Sequence, residues 1–337
     1  MTWLLSALAL IILVMSGDFL VKGAVALSDR LGIPAFIVGL TIVAFGTSAP
    51  ELLISIQAVL SGVPGMAIGN VVGSNTANIL MVLGLPAVLF GLDAAETDLR
   101  KNYALMIGGS LLFIYLASLG VFSYGSGMIL LAALAVVLGL ALRDTLQEPK
   151  RADAADISLE GGAVQDAALP VWKITGLICI GLVGLPYGAN LLVNNATEIA
   201  RSYQISETTI GLTLVALGTS LPELATTLAS AIRRQADVAL GNVIGSNVFN
   251  LLAIMGVTAF VGPIPVSPQL LSADLWVMLA ASLILAPFVV YRLRINRLMG
   301  ALLTAARRAP RAPRPVRRVG THRGRARRLR RARGLLR

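Results

Sequence analysis

An internal repeat is the feature that most constrains how this chain can fold. Residues 39–80 read GLTIVAFGTSAPELLISIQAVLSGVPGMAIGNVVGSNTANIL, and residues 211–252 read GLTLVALGTSLPELATTLASAIRRQADVALGNVIGSNVFNLL. The two stretches align without a gap at a constant offset of 172 residues, and ten of their first thirteen positions are identical. A match of this length indicates a duplicated structural unit. Each copy places one carboxylate, Glu51 or Glu223, within an otherwise apolar run.

The composition places these repeats in a membrane. Of the 337 residues, 56% are hydrophobic and only 13% are charged, whereas a soluble domain carries about 25% charged residues. Nine apolar segments approach the ~20 residues that a membrane span needs. They are residues 4–27, 33–60, 66–92, 104–120, 123–142, 172–200, 205–232, 238–261 and 271–291. The first has no basic leader and no clear cleavage site, which favours a spanning helix over a signal peptide.

Two of these segments, the second and the seventh, are long enough to be broken. Gly46 and Pro50 mark the expected break in the second segment, and Gly218 and Pro222 mark it in the seventh. Five segments separate the two copies, so the copies should insert with opposite orientation. The loops that carry lysine and arginine alternate with loops that carry only Arg201, which favours an N-terminus outside the cell. The predicted fold is an all-α, multi-pass membrane protein with an inverted-topology repeat of five plus five transmembrane helices.

The predicted organisation has four parts. Residues 1–142 form the first repeat with helices one to five, and residues 143–170 form a cytoplasmic linker. Residues 171–303 form the second repeat, with helices six to nine and the start of the tenth, and residues 304–337 form a basic, disordered tail. From Arg292 onward the chain holds 17 arginines and no acidic residue, so its net charge of +11 arises from this end of the chain.

The end of the second repeat departs from the repeat pattern. Residues 300–303 resemble the beginning of a tenth helix, but an arginine-rich sequence follows them. A polybasic tail that binds anionic lipid would explain this sequence, and so would a reading-frame change that replaced the last helix. The five-plus-five pattern favours the second explanation, so we expect the tenth helix to be lost or replaced.

The two glutamates require a counter-charge. A charged side chain at the centre of a membrane costs roughly 2.5–3.5 kcal/mol on insertion scales, and no basic residue lies close to Glu51 or Glu223 in sequence. A bound cation would neutralise them. A protonated, hydrogen-bonded glutamate is the alternative, but it explains poorly why two glutamates occur at equivalent positions, each after GTSxP.

The neighbouring residue types favour a hard cation. Hydroxyl oxygens come from Thr47, Ser48, Thr219 and Ser220. Each proline removes one backbone N–H, which should free carbonyls such as those of Ala44 and Ala216. Calcium takes 6–8 oxygen ligands of these kinds, and the absence of histidine and cysteine from both copies argues against zinc, copper or iron. The single cysteine, Cys179, also excludes a disulfide framework.

The second half of each copy is rich in glycine and asparagine. Ser74 with Asn78, and Ser246 with Asn250, are spaced i, i+4 and therefore share one helical face. These four residues are candidate ligands, whereas the glycines, Asn70 and Asn242 are at least as readily explained by helix packing. Two carboxylates give a site of charge −2, which one calcium ion or two monovalent cations would balance.

The paired motifs GLTIVAFGTSAPE with GNVVGSNTANIL, and GLTLVALGTSLPE with GNVIGSNVFNLL, resemble the alpha-repeats of the calcium/cation antiporter superfamily. The likeness is greatest to prokaryotic sodium/calcium exchangers of the inner membrane, and it covers segments one to nine. It implies a ten-helix fold in which one calcium ion competes with sodium ions for overlapping sites. It also implies that Asn250, where many relatives carry aspartate, argues against potassium dependence.

The resemblance assigns the residues of the site. The implied calcium ligands are Thr47, Glu51, Thr219 and Glu223. The implied sodium ligands and site-lining residues are Ala44, Ser48, Ser74, Asn78, Ala216, Ser220, Ser246 and Asn250. No cofactor is expected beside the transported calcium and sodium ions. The expected partner is the lipid bilayer, with no nucleic acid and no obligate protein partner.

Three other functions compete with sodium/calcium antiport. Proton/calcium antiport on the same fold would use the two glutamates as proton carriers, but the retained serine and asparagine ligands favour sodium. An intramembrane enzyme with Ser48 or Ser220 as nucleophile would need a general base, and the only histidine is His322 in the tail, so the chain is not expected to be an enzyme. A passive channel fits two opposed copies around a carboxylate pair less well than an alternating transporter does.

Overall fold

A computed structural model describes residues 1–92, 99–147, 169–205 and 218–307, and residues 1–307 belong to one compact unit. The helices are α1 Thr2–Leu31, α2 Ala35–Thr47, α3 Ala49–Leu60, α4 Pro64–Phe90, α5 Arg100–Ser118, α6 Tyr124–Gln147, α7 Val171–Ser202, α8 Leu221–Ile232, α9 Ala236–Val261, α10 Leu270–Val290 and α11 Arg297–Arg307. Two short strands, β1 Val121–Phe122 and β2 Ile264–Pro265, complete the described elements.

The helices match the predicted membrane segments. Six of them, namely α1, α4, α6, α7, α9 and α10, are long and apolar enough to cross a membrane, and α2 with α3 would form a seventh, broken span. The axes of α2 and α3 differ by 40° at Ser48, which confirms the predicted break. In the second copy a turn at Thr219 and Ser220 precedes α8, while residues 206–217 lie outside the described residues.

Gly46, which precedes the break, contributes to helix packing. Gly46 lies in the α-helical turn Ala44–Thr47. A Cβ at this position would lie 2.0 Å from Cδ2 of Leu182 on α7. Glycine is therefore needed here for space between α2 and α7.

The first helices of the two repeats pack against each other in opposite directions. Gly23 of α1 lies beside Ile178 of α7, and Leu13 lies beside Gly188. Residue numbers therefore decrease along α7 in the direction in which they increase along α1. The two helices are antiparallel, as an inverted repeat requires. The centre of the bundle is formed by α4 and α9, whose most apolar windows are 72% and 83% buried, against 33% for α1 and 22% for α7.

The inverted repeat extends into the loops at both ends of the bundle. At one end, β1 pairs antiparallel with β2, and Phe122 is opposite Ile264. At the other end, Leu92 forms an antiparallel bridge with Ile295. Leu92 is equivalent to Ile264 at the offset of 172, and Ile295 is equivalent to Phe122 with one residue added. Each of these pairings therefore has its counterpart in the other repeat.

Helix α11 is the start of the tenth helix. A Cβ at Gly127 of α6 would lie 2.8 Å from the carbonyl oxygen of Gly256, and a Cβ at Gly300 of α11 would lie 2.7 Å from that of Gly84. The two contacts are repeat equivalents, so α11 packs on α4 as α6 packs on α9. The described start of the tenth helix covers Arg297–Arg307, which extends four residues beyond the predicted 303. That the basic sequence replaces the rest of this helix stays a prediction. The rest of the basic tail, residues 308–337, lies outside the described residues.

The predicted linker overlaps the end of a helix. Residues 143–147 continue α6. Residues 148–168 lie outside the part of the chain that the structure describes.

Candidate ion-binding site

The two glutamates occupy equivalent places at the start of short helices. Glu51 lies in the first turn of α3 and Glu223 in the first turn of α8, and each is only 1% exposed. The helix dipole favours a negative charge at this end of a helix. Pro50 and Pro222 lie in the same turns, where a missing N–H removes no helical hydrogen bond. The motif GTSxPE therefore starts a helix and also places a carboxylate in the bundle.

Hydrogen bonds cross between the two repeats at these carboxylates. The Ser48 hydroxyl donates to Oε1 of Glu223 at 3.2 Å. In the opposite sense, the Thr219 side chain forms a hydrogen bond with Glu51, and the two carboxylates are close enough to interact electrostatically. Residues from both copies therefore form one polar cluster.

Two asparagines hold the helices that carry the glutamates. Nδ2 of Asn70 donates to the carbonyl oxygen of Glu51 and to Oγ of Ser55, both at 3.2 Å. In the second copy, Nδ2 of Asn242 donates to the carbonyl oxygen of Glu223 at 3.4 Å and to Oγ1 of Thr227 at 3.1 Å. The geometry is thus the same in both copies.

Asn242 also links the two repeats. Its Oδ1 accepts a hydrogen bond from Oγ1 of Thr47 at 3.3 Å. From the sequence, helix packing explained Asn70 and Asn242 at least as readily as ligation, and each follows its glutamate by the same 19 residues. That constant spacing was the available indication that they position the glutamate-bearing helices.

Several buried polar atoms of the predicted site have no hydrogen-bond partner among the described residues. They are Oε2 of Glu51 and Glu223, Oγ of Ser220 and Ser246, Oδ1 of Asn78, and both Oδ1 and Nδ2 of Asn250. An unsatisfied buried polar group costs about 1–3 kcal/mol, and more if it is charged. All but Nδ2 of Asn250 are oxygens, and coordinated hard cations would satisfy these oxygens.

Asn78 and Asn250 lie where the central helices are irregular. Nδ2 of Asn78 donates to Oδ1 of Asn247 at 3.1 Å, which joins α4 to α9. A π-helical turn covers Asn78–Leu83 in α4, and its equivalent covers Phe249–Ile254 in α9. Such turns are frequent at functional sites. No sequence pattern predicted them here.

The remaining predicted site residues are Ser74, Ala44 and Ala216. Ser74 on α4 is buried, and Ala44 on α2 is buried beside α9, since a Cβ at Gly245 would lie 2.6 Å from that of Ala44. The Ala44 carbonyl, which we expected to be free, accepts hydrogen bonds from the Ser48 N–H at 3.1 Å and from Oγ1 of Thr47 at 3.3 Å. Helical geometry persists up to Thr47, and this explains the difference. Ala216 lies outside the described residues.

A cavity reaches this cluster from one side. Its volume is about 400 Å³, and it lies between α3, α7 and the turn that precedes α8. Pro50, Ala189, Asn190 and Thr219 are among the residues that line it. Because Thr219 also bonds to Glu51, the cavity adjoins the polar cluster at one end of the bundle, although neither glutamate is among its lining residues.

The donor atoms differ from those of a transition-metal site. Within the described ranges, no three histidine, cysteine, aspartate or glutamate side chains form a group that could hold a metal ion. Two carboxylates with hydroxyl and amide oxygens suit calcium or sodium rather than zinc.

Comparisons with known proteins agree with this geometry. The family described as "Sodium/calcium exchanger protein" matches residues 1–143 and 173–306. The inner membrane protein YrbG of Escherichia coli is 37% identical over 82% of this chain and 85% of its own length. The sodium/calcium exchanger MaX1 of Methanosarcina acetivorans is 32% identical over 89% of this chain and 95% of its own length.

The structure is also similar to a solved exchanger. The sodium-calcium exchanger NCX_Mj matches with a TM-score of 0.77 and 32% identity, over 92% of this chain and 98% of that one. A more distant relative, the Ca(2+)/H(+) antiporter ChaA of Bacillus subtilis, is 25% identical over 67% of this chain and 65% of its own length. Repeat motifs, helical fold and whole-length matches agree, and this chain belongs to the sodium/calcium exchanger family of the calcium/cation antiporter superfamily.

Proposed function

We propose that this protein is a secondary active antiporter that exchanges calcium for sodium by alternating access. The observation that carries the proposal is the shared cluster around Glu51 and Glu223. Each carboxylate is buried at the start of its helix and is hydrogen-bonded by a hydroxyl of the opposite repeat. Two unneutralised charges in such a place are costly, and a transported cation supplies the missing charge.

The charge of the site accounts for competition between the two ions. One calcium ion neutralises two carboxylates, and so do two sodium ions. We assign calcium to Thr47, Glu51, Thr219 and Glu223. Sodium is assigned to sites that include Ala44, Ser48, Ser74, Ala216, Ser220 and Ser246, with Asn78 and Asn250 lining the middle. The protein would change most easily between its two accessible conformations when the site is filled and neutral.

We also propose a location and an orientation. The distribution of arginines and lysines among the loops favours an N-terminus outside the cell. A relative that is named an inner membrane protein supports the bacterial cytoplasmic membrane. In this orientation the cavity beside Thr219 opens outward, because α3 and α7 end on that side.

Proton/calcium antiport is the second candidate. The relative ChaA is named a Ca(2+)/H(+) antiporter, and glutamates are able to carry protons. The unpaired oxygens of Ser220, Ser246 and Asn250 favour sodium, because a proton needs only a carboxylate.

Calcium uptake into proteoliposomes separates the two candidates. We expect an outward sodium gradient to drive uptake of radioactive calcium, and an outward proton gradient of equal size to drive little. Vesicles without a gradient and vesicles treated with a sodium ionophore serve as controls. Uptake that ignores sodium and follows the proton gradient would refute sodium coupling and support the alternative.

A further inference from the structure

A second, polar cavity lies at the opposite end of the bundle from the cavity beside Thr219. Its volume is about 820 Å³, and it is formed by the end of α4, the turn between α8 and α9, and the start of α11. Arg234, Arg294 and Arg297 line it. In the proposed orientation these segments face the cytoplasm.

Among the described residues that line the cavity, three are arginines and one is an aspartate, an excess of positive charge. None of the three guanidinium groups forms a hydrogen bond or an ion pair within the described part of the chain. Asp237 also lines the cavity, and it already takes part in another polar interaction. The first turns of α9 and α11 reach the cavity as well, and helix N-termini favour anions.

The backbone holds these arginines in place. Arg234 follows the C-cap residue of α8 and has a left-handed φ of 57°, and its N–H donates to the carbonyl of Ala231 at 3.1 Å. Arg294 precedes Ile295, whose bridge to Leu92 consists of two hydrogen bonds of 2.9 Å. The Arg294 guanidinium lies beside Gly91, 3.6 Å from where a Cβ would stand.

The charges are not imposed by the repeat. Arg234 is equivalent to Gly62 at the constant offset, and with the one added residue Arg294 is equivalent to Val121 and Arg297 to Tyr124. The other end of the bundle has the same fold without these arginines. The basic cavity is thus a property of one side of the protein.

Exposed apolar side chains border the same cavity. Leu89, Phe90 and Ile232 line it and are 47%, 44% and 55% exposed. A soluble phosphate would explain the arginines but not these apolar residues. A phospholipid explains both, because its phosphate would meet the arginines while its acyl chains cover the apolar side chains.

We propose that this cavity is a binding site for the phosphate headgroup of an anionic phospholipid of the cytoplasmic leaflet. The ligand class is a phosphate ester with a net negative charge. The site is separate from the cation site, and its occupancy does not depend on which ions the protein exchanges.

Native mass spectrometry of the purified full chain tests this proposal. The probes are phosphatidylglycerol, zwitterionic phosphatidylcholine and inorganic phosphate. We expect one phosphatidylglycerol to be retained at least about tenfold more tightly than phosphatidylcholine, given roughly 1 kcal/mol for each basic residue near the lipid. The triple variant Arg234→Ala/Arg294→Ala/Arg297→Ala should lose this preference.

The basic tail supplies a matched control. Arg311→Ala/Arg314→Ala/Arg317→Ala removes the same number of charges from the tail and leaves Arg234, Arg294 and Arg297 in place, so it should keep the preference. If the cavity triple does not fold, the double variant Arg294→Ala/Arg297→Ala replaces it. Equal losses in the tail and cavity variants would mean diffuse attraction and overturn the site. Displacement of the lipid by equimolar inorganic phosphate would overturn the lipid as its ligand.

Discussion

Helices α1 and α8 are in close contact, whereas the equivalent pair, α7 and α3, borders an open cavity. A Cβ at Gly17 would lie 2.9 Å from the carbonyl oxygen of Ala225. The repeat equivalents of these residues, Ala189 and Leu53, line the cavity of about 400 Å³. One structural unit therefore adopts two packings in one molecule, closed at one end of the bundle and open at the other.

An ion pair reinforces the closed contact. Nε of Arg233 lies 2.6 Å from Oδ1 of Asp18, and its Nη2 lies 2.9 Å from Oδ2. The equivalent residues at the open end, Ser61 and Asn190, are uncharged. The difference teaches that the duplicated fold allows either end to close, while unequal side chains favour closure of the end that we place in the cytoplasm.

The largest effect is expected from the two glutamates, which form the site between the two ends of the bundle. Glu51→Gln and Glu223→Gln should each lower calcium uptake by about 100-fold or more. The reason is that removing one partner of a buried ion pair, here a carboxylate paired with a bound cation, costs roughly 3–5 kcal/mol. The two variants should lose similar activity, although α8 packs closely against α1 and α3 borders a cavity. Sodium-driven uptake of radioactive calcium measures them, with the exposed Glu198→Gln as control. Near-normal uptake by either variant would exclude a shared site.

The next effect tests the two packings directly. Gly17→Leu forces a side chain against the backbone of α8, and overpacking of this kind costs about 1–3 kcal/mol. Ala189→Leu places the same side chain beside open space. We expect the unfolding temperature in detergent to fall by several degrees for Gly17→Leu and to change little for Ala189→Leu. Equal shifts would show that the two contacts do not differ.

A smaller effect is expected from the ion pair. The side chains of Arg233 and Asp18 are 30% and 42% exposed, so the pair contributes about 0.2–1 kcal/mol. Asp18→Asn should raise labelling of Ala225→Cys from the cytoplasmic side by about two- to fivefold. The assay uses a chain with Cys179→Ser.

Two further variants control the ion-pair experiment. The charge swap Asp18→Arg/Arg233→Asp should restore protection of Ala225→Cys. Lys101→Gln removes an exposed ion pair with Asp144 elsewhere and should have no effect. Increased labelling in Lys101→Gln would mean that any lost charge opens the bundle.

The smallest effect should come from adding the missing ion pair to the open end. Ser61→Arg/Asn190→Asp introduces the charges of the closed end across a cavity, so they must first draw α3 and α7 together. We expect outside labelling of Leu53→Cys to fall by about twofold, as for a weak exposed pair. If labelling of Leu53→Cys does not change while Asp18→Asn still raises labelling of Ala225→Cys, charge alone does not decide which end closes.

Much of this architecture could be predicted from the sequence. Two gapless copies with five intervening segments predict antiparallel repeats, and the GTSxPE motif predicts the helix break and the buried Glu51 and Glu223. These features depend on local chemistry, such as the missing N–H of proline and the cost of a charge in an apolar run. The start of the tenth helix at residues 300–303 was also visible, although its packing on α4 was not.

Other features depend on which distant atoms meet. Asn70 and Asn242 bind backbone carbonyls 19 residues away, and no pattern of residue types identifies a carbonyl as a partner. Gly46 is required by Leu182, a residue of another repeat. The unequal ends were also not predicted, because the sequence does not show that Arg233 meets Asp18, which is 215 residues away.

Labelling from both sides tests the central claim most directly, namely that the shared site opens to one side at a time. In right-side-out vesicles of the Cys179→Ser chain, an impermeant reagent should label Leu53→Cys. In inverted vesicles under the same ions, Ala225→Cys should be protected. Gly17→Leu should reverse both results. Rapid labelling of both positions under the same ions, unchanged by Gly17→Leu, would contradict alternating access.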